Sequence, residues 1–423
     1  YNVYIKLKEN LKEQNLEKLY KDIELPLSDV LFDMEEEGFK VDINSLIDTG
    51  EKYKKILLDL EKQIRESVGE ENLNVNSPKQ LGEVLFEKLK IGKGKKTKSG
   101  FSTSAEVLEE LSNEHPVIPL ILRYRQIAKL NSTYVDGLKD LVNKKTGLIH
   151  TCFNQTVTAT GRLSSKEPNL QNIPIREDEG RELRKFFIPK NENGFIVGAD
   201  YSQIELRLLA SFSKCDALID AFKRGDDVHA ITASRVFNVP LDKVTKEMRR
   251  NAKAVNFGVI YGISEYGLAK NLHISPKDAR AYIDNYFKTY PEVKKYMDGN
   301  IAFAKENGYS ITMMGRRRYI RELKSSNFNL RSFGERVAMN MPLQGSSADI
   351  IKLAMINVSN RLKKENLKSK LILQVHDELL LDVPFSEKEI AKKILKEEME
   401  GAVNLAVKLS VEVECGETWF DAK

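Results

Sequence analysis

Three carboxylates in two short strings carry the first chemical signal. Asp200 closes the apolar run Phe195, Ile196, Val197, Gly198, Ala199, while Asp377 and Glu378 interrupt the apolar string of residues 371–384, LILQVHDELLLDVP. Adjacent acids flanked by Val375 and Leu379 repel one another unless they are solvated or bridged by a cation. A hard divalent metal with oxygen ligands is the natural bridge. If the two strings lie side by side, Asp200 and Asp377 can hold two Mg²⁺ ions roughly 3.5 to 4 Å apart, an arrangement that serves in-line phosphoryl transfer. Taken alone, Asp200 is better read as a helix N-cap or a turn acid.

A second candidate lies in residues 248–262, MRRNAKAVNFGVIYG. Arg249, Lys253, Phe257 and Tyr261 are four apart, so each lies about 6 Å further along a helix and drifts only about 40° around it. The resulting face is cationic at its start and aromatic at its end. A solvated surface followed by core packing would read the same way, yet a nucleotide fits the sequence of groups better. The cations meet phosphates, Phe257 packs against sugar and base, and Tyr261 stands near the templating base. Upstream, residues 226–239 form a short helix with His229, and a lone helical His is more often structural. Residues 91–103, IGKGKKTKSGFST, hold Lys93, Lys95, Lys96 and Lys98 among glycines with no acid. They make either a solvated loop or a sequence-independent grip on phosphates.

These groups need elements to hold them. The run ending in Asp200 reads as a buried strand, and from Ile204 the apolar positions Leu206, Leu208 and Leu209 change to a helical period. Residues 371–384 read as a hairpin with Asp377 and Glu378 at its tip. Residues 25–42 predict a helix closed by Gly38 and a short extended segment, and residues 44–68 a second amphipathic helix. Residues 74–138 look like a long helical hairpin with the basic string at its tip. Residues 156–176, TVTATGRLSSKEPNLQNIPIR, read as a long loop, which is usually functional or disordered. Residues 265–304 predict helices punctuated by Pro276 and Pro291, and residues 312–323, TMMGRRRYIREL, form another basic segment. Arg336, Asn340 and Gln344 again fall four apart, although Pro342 argues against one unbroken helix. A helix over 348–362 leads into the hairpin, and a last helix over 387–407 precedes a strand at SVEVECG.

The chain of 423 residues is long enough for two or three domains, and 41% hydrophobic and 30% charged residues describe an ordinary soluble protein. No apolar run spans a membrane and no secretion signal is visible. A first residue other than Met implies a piece of something longer. Cys152, Cys215 and Cys415 give neither a disulfide framework nor a zinc pattern, which fits a reducing cytoplasm. A net charge of +5 does not by itself announce nucleic acid.

DYSQIELR, QVHDE, the helix string RRxxKxxNFGxxYG, TATGRLSS, PNLQNIP, DVHxxTA and the final ECGETWFDAK occur in the order found in family A DNA polymerases, which the chain resembles from about residue 25 to 423. The resemblance implies an α/β (α+β) right-hand polymerase with an antiparallel-sheet palm, helical fingers and a helical thumb. Its boundaries would be a linker and start of palm at 1–45, thumb 46–148, palm 149–212, fingers 213–343 and palm 344–423. It implies template-directed addition of deoxynucleoside triphosphates to a primer 3′-hydroxyl, in DNA replication and repair, with two Mg²⁺ ions or Mn²⁺ in their place. Asp200, Tyr201 and Asp377 would bind metal, with Glu378 and Lys253 completing the catalytic set and Lys253 a candidate general acid. Arg249, Lys253, Phe257, Tyr261, His229, Glu205 and Gln203 would hold the nucleotide, His229 sharing in neutralising the triphosphate. Arg162, Gln171, Arg336, Asn340, Gln344, His376 and the four lysines would contact primer-template DNA, with Asn169 a weaker assignment. Glu205 would exclude the ribose 2′-hydroxyl. The chain would act as a monomer in the cytoplasm, associated with the nucleoid and with no membrane partner, and this stretch would not proofread. A single-subunit RNA polymerase and a non-catalytic DNA-binding module are the alternatives.

Overall fold

The apolar run that ends at Asp200 forms strand β1 (Phe195–Tyr201), and the 371–384 string folds into a hairpin of β2 (Lys370–Val375) and β3 (Glu378–Val383). With β4 (Val411–Gly416) they make an antiparallel sheet in the order β2-β3-β1-β4. All six residues of β3 are buried, as expected of a strand covered on both faces. The turn is His376 and Asp377, with His376 at φ +54°, the left-handed conformation that two-residue hairpin loops require. Glu378 therefore does not sit at the tip beside Asp377. It is the first residue of β3 and is buried.

The computed structural model describes residues 2–98, 100–174 and 178–423. Ser99 of the basic string and Ile175 and Arg176 of the long loop lie outside the described residues. Two units are formed, one from Tyr1–Phe39, Thr151–Gln171 and Pro189–Lys423, the other from Lys40–His150 and Asn172–Ile188.

In the first unit, helix α1 (Ile204–Ser213) follows β1 directly, as the change of period predicts. Helix α2 (Val228–Val236) starts at Asp227, whose carboxylate accepts from the amides of His229 and Ala230, and α3 (Lys246–Ile260) starts at Thr245, whose hydroxyl accepts from Met248 N. Pro276 and Pro291 each open a helix, Pro276–Thr289 and Pro291–Asn307, where a missing amide costs nothing. Helix α4 (Phe328–Lys364) runs unbroken through Pro342, against the expectation of a break. An interior proline frees the carbonyl four residues earlier and costs about 3 kcal/mol. Here that carbonyl belongs to Ala338, and the buried Ser310 hydroxyl donates to it at 3.1 Å. The last helix is shorter than expected, Lys388–Glu400, because Val407 and Leu409 are buried from the irregular connection instead of extending it. Within the loop that follows Thr156, Ser164–Lys166 is a short strand paired with Cys152–Asn154.

In the segment TMMGRRRYIREL, Arg316 and Arg317 are engaged within the chain, Arg317 donating to Gln14 O at 2.7 Å, while Arg321 is exposed. Arg316 is bonded to Glu24 and, at 2.7 Å, to Asp349, while Lys352 reaches Glu24 at 2.7 Å and Thr312 donates to Asp349 at 2.5 Å. Two acids and two cations thus satisfy one another, Asp349 and Lys352 from α4 itself, the condition under which buried charge is tolerated.

In the second unit, Asp42 caps the helix Ile43–Val68, accepting from Ser45 N at 3.1 Å, and Gly69 ends it at φ +68°. Leu60, Ile64 and Val68 pack with Leu81, Leu85, Ile118 and Ile121 in one core. Residues 74–138 are helical on both sides of the basic string, over 78–88, over Ala105–Glu110 and continuously from Val117 past residue 138, while the basic string itself pairs Lys96–Thr97 with Gly100–Phe101. Phe86 and Phe101 pack 5.2 Å apart over Gly94, where a Cβ would meet both rings within 2.6 Å, so the chain folds inward instead of extending a helix.

Candidate active site

Strand register brings the acids together. Asp200 lies directly opposite Glu378 on β3 and opposite Glu412 on β4, and directly opposed side chains share a face of a sheet. Asp377 joins them from the turn, its main-chain carbonyl accepting from Tyr201 N at 3.2 Å and its carboxylate from Ser347 of α4 at 3.1 Å. Burial, with Glu378 and Asp377 adding to it against the opposing charge of Lys423, pushes the Asp200 carboxyl up to about 6. The Lys423 ammonium stands 3.6 Å from Asp200 and 3.2 Å from Glu378, and the Trp419 indole donates to Glu378 at 3.3 Å. Among the described residues no three His, Cys, Asp or Glu stand together in metal-binding geometry. The donor chemistry nonetheless fits a hard divalent ion. Asp200 and Glu378 share the Lys423 ammonium while the Asp377 carboxylate accepts only from the Ser347 hydroxyl among the described residues, and carboxylate oxygens are the ligands such an ion prefers. Tyr201 does not offer its phenol to this corner, because the hydroxyl donates to Met399 O at 2.6 Å in the interior.

Beyond β1, Gln203 takes the left-handed conformation (φ +53°) and precedes α1, whose first turn buries Glu205. Its carboxylate is held on both sides: Arg162 donates to Oε1 at 3.3 Å and the Tyr261 hydroxyl to Oε2 at 2.9 Å. Burial raises the Glu205 carboxyl above its usual range, with the Tyr261 hydrogen bond and the Arg162 charge opposing. Arg207 is not its partner, since that guanidinium donates to the carbonyls of Ser202 and Lys408. Tyr261 itself lies one residue past the end of α3, so the expected continuous helical face ends at Phe257 and Tyr261 is turned onto Glu205.

On α3, Arg249 pairs with Asp227 at 2.5 Å and Lys253 is exposed. The Phe257 and His229 rings lie 5.8 Å apart. His229 is buried and its imidazole is pushed down to about 4, by burial above all, with Asp227 opposing and the Lys253 and Arg249 charges adding to the shift. In the chain alone the ring is therefore neutral at physiological pH. What it offers is a hydrogen bond of fixed direction. Thr232 donates to Asn256 Oδ1 at 3.2 Å, which turns the amide nitrogen of Asn256 toward His229 Nδ1 at 2.9 Å and leaves the proton on Nε2.

Of the DNA-binding candidates, Gln171 donates to both the main chain (3.1 Å) and side chain (3.0 Å) of Gln374, which in turn donates to His376 O at 2.5 Å. Arg162, Gln171 and His376 thus gather around Glu205 and the hairpin turn. Arg336, Asn340 and Gln344 lie on α4, with the amide nitrogen of Asn340 buried and unpartnered. Lys93, Lys95, Lys96 and Lys98 are exposed in the second unit. Sequence reasoning missed Gln374, Asn256, Ser347, Trp419 and Lys423. All but Ser347 sit inside strings already singled out, Gln374 and Asn256 as polar residues at positions where a strand or helix core calls for apolar ones.

A sequence profile described as DNA polymerase family A matches residues 43–421, and the chain belongs to that family. It is 54% identical over 405 residues to DNA polymerase I of Caldicellulosiruptor bescii, covering 96% of this chain and 47% of that protein. DNA polymerase I of Geobacillus stearothermophilus is 52% identical over 417 residues, covering 99% of this chain and 48% of its own length. The chain spans about half the length of these relatives. A solved structure, the POL domain of Pol1 from M. smegmatis in complex with DNA primer-template and dNTP, superposes with a TM-score of 0.92 at 43% identity, covering 98% of this chain and 73% of that one. No helix among the described residues is long and apolar enough to cross a membrane.

Proposed function

We propose that this chain is a template-directed DNA polymerase that adds deoxynucleoside triphosphates to a primer 3′-hydroxyl and releases pyrophosphate. The first unit would supply palm and fingers and the second the thumb. The observation that carries the reading is the placing of Asp200 opposite Glu378, with Asp377 tied by its carbonyl to Tyr201 and by its carboxylate to α4. Asp200, Asp377 and the main-chain carbonyl of Tyr201 would hold divalent metal ions, two Mg²⁺ or Mn²⁺ in their place. When bound, such ions lower the pKa of the attacking hydroxyl and offset the charge of the triphosphate.

The chain's own residues do the rest. Lys253 and Arg249 would meet the triphosphate oxygens, and Lys253 would protonate the departing pyrophosphate. His229 donates from Nε2 to a phosphate oxygen without adding charge. Phe257 packs on the sugar, and Glu205, fixed between Arg162 and Tyr261, closes the space beside the 2′ carbon. Gln203 lines the same pocket where the chain turns from β1 into α1. Arg162, Gln171, His376, Arg336, Asn340 and Gln344 line the primer-template path, and amide and guanidinium groups suit minor-groove acceptors that all base pairs share. Lys93, Lys95, Lys96 and Lys98 grip phosphates without regard to sequence. The chain works as a monomer, associated with the nucleoid.

Extension of a radiolabelled primer-template with deoxynucleotides, with and without Mg²⁺, tests the reading. Metal-dependent, template-matched extension is expected. Binding of DNA without extension would reduce the chain to a binding module, and preferential use of ribonucleotides would make it an RNA polymerase.

A further inference from the structure

Glu378 is the one member of the acid group whose two carboxylate oxygens are both engaged by a single stretch of chain, residues 417–423. Trp419 Nε1 donates to Oε1 at 3.3 Å and Lys423 Nζ to Oε2 at 3.2 Å. The stretch is firmly seated. Trp419 is fully buried with its ring 6.2 Å from that of Phe39, Ala422 is buried, and Thr418 closes the turn by bonding Asp421 at 2.7 Å. Its docking place on β1 is made by a missing side chain: a Cβ on Gly198 would stand 2.4 Å from the Ala422 carbonyl oxygen. Gly198 lies two residues before Asp200, and the residue after Ala422 is the lysine that reaches Asp200 and Glu378 together.

We propose that residues 417–423 clamp the acid corner, with Trp419 and Lys423 as positioning residues, and that the Lys423 ammonium is a built-in competitor of the divalent cation. This rests on the metal-binding role proposed above for Asp200 and Asp377. The ammonium takes the place between Asp200 and Glu378 that a bridging metal would otherwise claim, so Glu378 stays a held counter-charge and metal binding is left to Asp200 and Asp377. A fixed positive charge within 4 Å of a ligand weakens cation binding directly, and it does so without any role in the chemical step.

The test is Mn²⁺ binding to the full chain without DNA or nucleotide, followed by electron paramagnetic resonance of free Mn²⁺, in wild type, Lys423→Met, Lys423→Arg and Asp377→Asn. Lys423→Met is expected to tighten Mn²⁺ binding about tenfold, the factor that corresponds to about 1.4 kcal/mol. Lys423→Arg, which keeps the charge, is expected to stay within about twofold of wild type. A purely structural contact predicts the opposite direction, because loosening the acids weakens a metal site. Unchanged or weaker binding in Lys423→Met overturns the proposal. If Asp377→Asn leaves wild-type Mn²⁺ binding intact, the metal reading of the acid corner falls, and this inference with it.

Discussion

At the acid corner of the sheet Asp200, Asp377 and Glu378 each meet a partner inside the chain, in Lys423, Ser347 and Trp419, whereas along α3 Lys253 is exposed and forms no ion pair among the described residues. The difference follows from the two kinds of scaffold. Strand register holds opposed side chains about 5 Å apart on one face, so like charges placed there repel and must be matched from within. A helix spaces its residues along an axis and can present cations outward at little cost. Between the two regions stand Glu205 and Tyr261, one at the start of α1 and the other just past α3, joined by a hydrogen bond of 2.9 Å. On the proposed function the acid corner would receive positive charge and α3 negative charge, with this bond joining the two regions.

The sharpest way to break that contrast is to remove an acid. Asp200→Ala and Asp377→Ala should each lower nucleotide addition by about 10³-fold or more, equivalent to roughly 4 kcal/mol, with DNA affinity largely kept. Single-turnover extension and a gel-shift titration measure the two separately, and retained extension would sink the assignment. On the other side, Lys253→Ala should cost about 10²-fold in the rate of addition, with Lys253→Arg recovering part of it. A loss confined to KM would make Lys253 a binding group and not a proton donor.

Where the two regions meet, Glu205→Ala should narrow the preference for deoxy over ribonucleotides by about tenfold or more, each factor of ten corresponding to about 1.4 kcal/mol. Because Arg162 and Tyr261 both lose a partner, deoxynucleotide addition should fall as well. Comparing kcat/KM for the two sugars decides whether the losses are unequal, as expected.

The smallest effect concerns His229. Its folded pKa of about 4 lies below the unfolded value near 6.5, so the unfolded chain binds the extra proton first. The stability this contributes is present above about pH 6.5 and is lost as pH falls through 4. Relative to His229→Gln, the wild type should lose roughly 2 kcal/mol between those limits in denaturant titrations at stepped pH. Parallel curves for the two proteins would mean that His229 is not held neutral.

Much of the site was legible before any coordinates. The strand ending at Asp200, the hairpin at 371–384, the helix beginning near residue 248 and the caps at Gly38, Pro276 and Pro291 all follow from local period and backbone preference, which depend only on near neighbours in the chain. Tertiary structure decided what distance in sequence hides. It satisfied the Ala338 carbonyl freed by Pro342 with a serine 28 positions before Ala338, Ser310. It gave Glu205 its partners Arg162 and Tyr261 in place of nearby Arg207, made His229 neutral by burying it against Asn256, and carried Lys423 to acids far upstream. Local propensity determines most elements, with Pro342 inside a helix as an exception that a tertiary contact allows. Whether a charged or polar group in an element is paired, buried or left for a ligand depends on groups brought beside it by the fold, and those are set by packing and not by spacing in the chain.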